Sequence, residues 1–133
     1  MAGNVKYLSD EWRSEAEKRL LENLSPEKMN HLTSSMSNIY KNCPDGKEHF
    51  IFIRFEDGKL AEFLVGTGEV PVAEFAISGD YAVFASITRA ELASHKALMT
   101  GKLKLKGNMV KALKLASLAD RINKVFATIP AEY

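Results

Sequence analysis

The feature that most constrains the fold lies between residues 50 and 87, where short apolar segments alternate with very short turns. Four such segments are predicted strands: Phe50–Phe55, Leu60–Val65, Val72–Ile77 and Tyr81–Ile87. Asp57-Gly58 is a strong hairpin signal, and Ser78-Gly79-Asp80 is a second tight connection. Because turns this short join antiparallel neighbours, the pattern predicts a four-stranded meander.

Two helices are predicted before these strands. Ser9 fits an N-cap, and apolar residues follow it at helical spacing. They are Trp12, Ala16, Leu20, Leu21 and Leu24. Ser25-Pro26 ends that helix and begins another, because proline suits the first helical position. The second apolar stripe consists of Met29, Leu32, Met36, Ile39 and Tyr40.

The C-terminal third predicts a helix, a short strand and a long helix. Thr88 and Glu91 fit a capping box that opens the first of these helices. The stretch GKLKLKGN, residues 101–108, alternates lysine with leucine and is typical of a strand with one polar and one apolar face. Asn108 is then the expected N-cap of a final helix that ends before Pro130.

These elements indicate an α+β fold in a single domain, residues 1–133. The strands supply a five-stranded, mainly antiparallel sheet, and the apolar stripes of the helices cover one of its faces. A chain of this length buries enough apolar surface to fold without disulfides or metals.

Composition and charge narrow the function. A formal net charge of +1 does not favour a nucleic-acid partner. The N-terminal residues lack the pattern of a secretory signal, and no apolar run is long enough to span a bilayer. The chain has one cysteine and ends Ala131-Glu132-Tyr133, which is not a peroxisomal address. We therefore expect a soluble cytoplasmic protein.

Residue patterns typical of catalysis or metal binding are missing. His31, His49 and His95 show no metal-ligand spacing. The segment 66–68, Gly-Thr-Gly, lacks the lysine of a phosphate-binding loop, and Cys43 lies before a proline in a turn. We expect no catalytic residue, no metal and no cofactor.

The lysines of residues 101–108 have two interpretations. Lys102, Lys104 and Lys106 can form a solvated strand face whose charges discourage edge-to-edge pairing. Alternatively, they form a basic strip, joined by Lys111 and Lys114, that makes transient contact with an anionic membrane surface. Leu103 and Leu105 face the opposite side and extend the apolar layer in either case.

Two segments resemble the sterol carrier protein type-two family. They are SGDYAVFASI, residues 78–87, and LMTGKLKLKGNMVKALKL, residues 98–115, with the Met99–Met109 pattern as the most specific part. The resemblance runs from about Gly46 to Leu118. It implies a sheet covered by helices with a hydrophobic tunnel between the layers. It also implies binding and transport of lipids such as fatty acids, fatty acyl-CoA or sterols, without catalysis.

The strand and helix faces predict which residues line such a tunnel. The expected ligand-binding residues are Phe75, Ile77, Phe84, Met99, Leu103, Leu105, Met109 and Leu113. Methionine and aromatic side chains adapt to ligands of different shape, although the same residues can also pack against each other as an ordinary core.

Two other functions remain open at this point. The same fold can serve as an accessory module that offers its apolar groove to a partner protein or to a second copy of itself as a homodimer. An enzyme of lipid metabolism is the third alternative, and no sequence feature favours it.

Overall fold

The computed structural model describes residues 4–133, so the first three residues of the predicted 1–133 domain lie outside the described residues. The elements in chain order are β1 (Val5–Lys6), α1 (Asp10–Asn23), β2 (Ser34–Lys41), β3 (His49–Glu56), β4 (Lys59–Thr67), β5 (Phe75–Asp80), α2 (Tyr81–Thr88), α3 (Ser94–Met99), β6 (Leu103–Lys106), α4 (Met109–Ala127) and β7 (Ala131–Glu132).

The central sheet has five strands in the order β4-β3-β2-β5-β6. Three of its four pairings are antiparallel, and only β2 and β5 run parallel. The predicted fold class, a mainly antiparallel five-stranded sheet with helices, is therefore confirmed. The hairpin at Asp57-Gly58 is also present, with Asp57 and Gly58 both in the left-handed region that such turns require.

The helices form a layer on one face of this sheet. α1 begins at the predicted N-cap, since the Ser9 hydroxyl accepts a hydrogen bond from the Trp12 N–H at 3.2 Å. α4 begins at the predicted cap as well, because Asn108 Oδ1 accepts from the Lys111 N–H at 3.0 Å. α4 packs against the other three helices, and α1 also contacts β4. The side chain of Trp12 is completely buried where these elements meet.

The predicted second helix is wrong, because residues 34–41 form β2, the middle strand of the sheet. Asn30 and His31 both take left-handed backbone angles, which end the turns that follow Pro26 before a helix can develop. Beyond them, Met36 lies between two serines, and Met36 and Tyr40 are four residues apart, a spacing that puts them on one face of a strand as well as on one face of a helix. Both edges of β2 are paired, with β3 and β5, and this long-range pairing decides the outcome.

The predicted strand Tyr81–Ile87 is also wrong, because residues 81–88 form α2. An apolar run of this length does not distinguish a buried strand from a buried helix. β5 extends to Asp80 and already pairs with β2 and β6 on its two sides, so the next residues leave the sheet. The predicted meander is thus a three-stranded one, β2-β3-β4, followed by β5 and β6.

The capping box at Thr88 is absent. Thr88 is the last residue of α2, and its hydroxyl contacts Tyr7 instead of a helix N-terminus. The next helix, α3, begins only at Ser94. A small parallel sheet of β1 and β7 adds a connection between the two ends of the chain that the sequence did not predict.

Candidate functional site

A cavity of about 90 Å³ lies between the sheet and the helical layer. Its floor comes from β2, β3, β5 and β6, and its roof from α2, α3 and α4. The large apolar side chains of the floor are Met36, Tyr40, Ile53, Phe55, Phe75, Ile77 and Leu103. Those of the roof are Phe84, Ile87, Leu98, Leu115, Leu118 and Ile122.

Small residues of α4 create the space. Ala112, Ala116 and Ala119 lie three and four residues apart, so they share one face of the helix, and all three line the cavity. A methyl side chain fills much less of the gap between two layers than the leucines and isoleucine beside it. The alternation of small and large residues on this helix therefore leaves room above the middle of the sheet.

Four of the eight predicted ligand-binding residues line the cavity: Phe75, Ile77, Phe84 and Leu103. Each is at most 8% exposed. Phe84 lines the cavity although its segment was predicted as a strand and is a helix, because α2 directs this side chain towards the layer that the predicted strand was expected to face.

The other four, Met99, Leu105, Met109 and Leu113, lie outside the lining. Met99 ends α3 with 67% of its surface exposed, and Met109 begins α4 with 43% exposed. Leu105 lies on the edge strand β6 and packs against the core without reaching the cavity. Leu113 is half-buried, on a face of α4 turned away from the Ala112–Ala116 face.

The sequence analysis missed the contribution of β2. Met36, Asn38 and Tyr40 are alternate residues of this strand, and all three line the cavity. The sequence did not predict them as lining residues, because the segment was assigned to a helix. The alternation of these three with Ser35, Ser37 and Ile39 is the signal that could have identified them.

No charged side chain lines the cavity within the part of the chain that the structure describes. Its polar wall contains hydroxyl groups, and one cluster joins it to the N-terminal segment. The Tyr7 hydroxyl lies 2.8 Å from Tyr40 Oη and 2.8 Å from Thr88 Oγ1. Burial raises the pKa of Tyr7 and of Tyr40 above its ordinary value, so both phenols stay neutral.

One polar atom of the lining lacks a hydrogen-bond partner. Asn38 Oδ1 is buried, and no described group donates to it. Ser94, by contrast, donates its hydroxyl to Asp120 Oδ1 at 2.8 Å. The cavity wall therefore combines apolar side chains, hydroxyls with partners, the half-buried amide of Asn123 and the buried amide oxygen of Asn38, which has no described partner.

The two lysines of β6, Lys104 and Lys106, lie on the other face of the sheet, and Lys102 comes directly before the strand. All three are exposed, and none of them forms an ion pair with the residues described. Lys111 differs, because its ammonium group pairs with the Glu74 carboxylate and lowers the pKa of that carboxyl. Lys102, Lys104 and Lys106 thus remain available to an external anion.

A separate group of side chains could hold a metal ion. Cys43 Sγ, a carboxylate oxygen of Asp45 and a ring nitrogen of His49 lie within 4.8 Å of one another in the loop before β3. Sulfur, imidazole and carboxylate are ligands that zinc accepts. Burial raises the pKa of the Cys43 thiol, so a cation would have to displace its proton. His49 is already engaged with Asp45 at 2.7 Å.

Among residues 4–133, none of the helices combines the length and the apolar character that crossing a membrane requires.

The structure and the sequence were compared with those of known proteins. A crystal structure of sterol carrier protein 2 has a TM-score of 0.79 at 21% identity and covers 93% of this chain and 99% of its own. The palmitated SCP2L2 protein of Aedes aegypti has a TM-score of 0.59 at 20% identity, with 83% of this chain and 93% of that chain covered. No curated protein matches the sequence significantly.

The same fold also occurs inside an enzyme. The sec-alkylsulfatase Pisa1 of Pseudomonas sp. has a TM-score of 0.50 at 20% identity, and the match covers 74% of this chain but 15% of the enzyme. The family model of the SCP-2 sterol transfer family, a family of lipid-binding and lipid-transfer proteins, matches residues 17–120. The chain therefore belongs to the SCP-2 sterol transfer family.

Proposed function

We propose that this protein is a non-catalytic carrier that binds a single long-chain lipid in the cavity between its sheet and its helices. Long-chain fatty acids, fatty acyl-CoA and sterol-like lipids are the candidate ligands. The observation that carries the proposal is the wall of the cavity, which is apolar and uncharged among the described residues. Such a wall holds a hydrocarbon chain by removing it from water and needs no specific anchor.

The binding energy of a hydrocarbon chain is sufficient. Burying a sixteen-carbon chain at ~0.8 kcal/mol per methylene contributes on the order of 12 kcal/mol. Loss of translational and rotational freedom costs several kcal/mol, and a cost of about 4 kcal/mol leaves about 8 kcal/mol, which corresponds to a roughly micromolar affinity.

The cavity has to enlarge to take a lipid. Pockets that bury a drug-sized ligand usually measure roughly 300–1,000 Å³, well above the 90 Å³ found here. The alanine face of α4 lies over this gap, and α4 rests on other helices rather than being hydrogen-bonded to the sheet. We propose that α4 shifts outward as the lipid enters.

The absence of catalysis is part of the proposal. The lining contains hydroxyl groups but no histidine, cysteine or carboxylate among the described residues, so its wall offers no general base to activate those hydroxyls as nucleophiles. The palmitated relative from Aedes aegypti has the same fold, which supports a fatty acyl ligand for this one. The alkylsulfatase relative has many further residues outside the matched part.

The exposed lysines of residues 102–106 have a role in delivering the lipid to membranes. We propose that Lys102, Lys104 and Lys106 bring the carrier transiently to anionic membranes, since each lysine near such a surface contributes about 1 kcal/mol. A formal net charge of +1 gives no reason to expect nucleic acid as a partner. We propose the cytoplasm as the compartment in which the carrier works.

A second candidate function is a homodimer or an accessory module. Exposed apolar side chains on the two helices that precede and follow β6 favour it, since Met99 of α3 is 67% exposed and Val110 of α4 is 64% exposed. Analytical ultracentrifugation separates the two functions. A dimer that forms with rising concentration and takes up no lipid would support the module and contradict the carrier.

The carrier function is tested by titration with a fluorescent fatty acid and by native mass spectrometry of freshly purified protein. Ala116→Leu adds three carbon atoms inside the cavity and should weaken binding by about 2 kcal/mol, or roughly thirtyfold. Ala127→Leu makes the same change on an exposed position of the same helix and should bind like the wild type. Equal loss in both variants, no saturable binding, or hydrolysis of an acyl-CoA would contradict the proposal.

A further inference from the structure

Asn38 occupies a position of the sheet whose cross-strand neighbours are aliphatic. It lies on β2, the middle strand, between Ile51 of β3 and Ile77 of β5. The same row continues to Val65 on one side and to Leu105 on the other. Since residues paired across strands point to the same face, Asn38 is the one polar side chain in a row of aliphatic residues under the helices.

No donor among the described residues satisfies this amide oxygen. Asn38 Oδ1 is buried without a hydrogen-bond partner, and the residue lines the cavity. The lining contains one other amide, that of the half-buried Asn123 on α4. The remaining polar side chains of the lining form hydrogen bonds within the protein: Ser34, Ser35, Tyr40, Thr88 and Ser94. A buried acceptor without a donor destabilises the fold, and asparagine is also a poor strand residue. A leucine at this position would complete the row without either disadvantage.

An unsatisfied acceptor on a residue that lines a binding cavity indicates the chemistry of the ligand that reaches it when the cavity enlarges. A hydroxyl group can donate a hydrogen bond to an amide oxygen, whereas a carboxylate has no proton to donate. A carboxylate would also find no cation in the cavity wall among the described residues. Burying a charge without a partner is strongly unfavourable.

We propose that Asn38 is a specificity-determining residue whose Oδ1 accepts a hydrogen bond from a neutral hydroxyl group of the bound lipid. This inference rests on the proposed carrier function and narrows it. The preferred ligand is a long-chain or ring alcohol that enters with its hydroxyl group foremost. Lipids with a charged head bind more weakly, because their head must stay outside the apolar wall.

The test compares hexadecan-1-ol with its methyl ether, in which a methyl group replaces the hydroxyl hydrogen and so removes the donor. Both compete with a fluorescent fatty acid for the wild-type protein and for the variants. The affinity ratio of alcohol to ether should be about three- to tenfold higher in the wild type than in Asn38→Leu, since a neutral hydrogen bond has a net value of roughly this size. Ile39→Leu, a change on the opposite face of the same strand, should keep the wild-type ratio.

Comparing the ratio of the two affinities between the wild type and a variant cancels the different hydration of the two ligands and the different stability of the proteins. A ratio that is the same in Asn38→Leu as in the wild type would overturn the inference. Should Asn38→Leu not fold, Asn38→Val takes its place in the same comparison. Failure of the carrier function is a different result, because then neither ligand displaces the fluorescent fatty acid.

Discussion

Two adjacent residues of β6 should respond in opposite ways to the same substitution. Leu103 points into the cavity and is 4% exposed, whereas Lys104 is exposed on the other face of the sheet. Leu103→Glu therefore places a carboxyl group in the apolar layer, and Lys104→Glu places one in water. We expect the first variant to be strongly destabilised and the second to fold like the wild type.

The size of the effect follows from two contributions. Losing a fully buried leucine costs about 1.5–3 kcal/mol. The new carboxyl group either stays charged in the apolar layer or binds a proton. Protonating a glutamate whose ordinary pKa is about 4.3 costs ~3.7 kcal/mol at pH 7, at 1.36 kcal/mol per pH unit. The sum, roughly 5–7 kcal/mol, is comparable to the whole stability of a domain, about 5–15 kcal/mol.

The dependence on pH identifies the buried carboxyl as the cause. Burial raises the pKa of the new glutamate in the folded state above its unfolded value, so the folded state binds more protons at neutral pH. Stability then falls as the pH rises above about 4.3. Between pH 7 and pH 5 the protonation cost drops by ~2.7 kcal/mol, and the deficit of Leu103→Glu relative to the wild type should shrink by that amount.

Urea unfolding measured by the fluorescence of Trp12 is a suitable assay, because this is the single tryptophan of the chain and it is fully buried. Lys104→Glu should differ from the wild type by about 0.5 kcal/mol or less at both pH values. A deficit of Leu103→Glu that is the same at pH 5 and pH 7 would refute the reasoning. So would a loss of stability in Lys104→Glu with none in Leu103→Glu.

Three further changes test other contacts by thermal or urea unfolding. Gly79→Ala places a methyl group 2.5 Å from a Leu103 methyl, so it should lower the free energy of unfolding by about 1–3 kcal/mol. Gly66→Ala is the control, because its methyl would lie 3.4 Å from the nearest atom and should lower the stability less. Equal losses of stability in the two variants would contradict this expectation. Asn108→Ala removes the N-cap of α4 and should cost about 1 kcal/mol, with Asn108→Ser as the control that retains most of it. Tyr7→Phe removes two buried hydrogen bonds and should cost about 1–3 kcal/mol at pH 7. Burial raises the pKa of Tyr7 in the folded state, so wild-type stability falls as the pH rises above about 10, and the fall should be smaller in Tyr7→Phe.

The sequence predicted best those elements whose signals are local. Asp57-Gly58 specifies its hairpin through backbone angles that favour these two residues. Asn108 specifies the start of α4 through a hydrogen bond to a residue three positions away. The alternation of residues 101–108 specifies the faces of β6 in the same way, since Leu103 is buried and its lysine neighbours are exposed. None of these features depends on a distant partner.

The elements predicted wrongly depend on which strands pair. Residues 34–41 carry apolar side chains at positions that suit a helix or a strand, and only the two neighbouring strands select the second. Residues 81–88 are mostly apolar, and the sheet excludes them because both sides of β5 are already occupied. The strand count came out as five because these two errors compensate. The fold class was therefore predicted correctly while the strand order was not.

The candidate site was harder to predict than the fold, because a cavity is the space that packing leaves. The face of a strand on which a side chain lies is easily inferred from the alternation of residues, and Phe75, Ile77 and Leu103 line the cavity. The roof depends on the rotation of α4, which turns Ala116 inward and leaves Leu113 to the side. Hydrophobicity alone ranks leucine above alanine as a lining residue, yet the smaller side chain is the one that makes room. A search for small residues spaced three and four apart on a helix that covers a sheet would have pointed to this space.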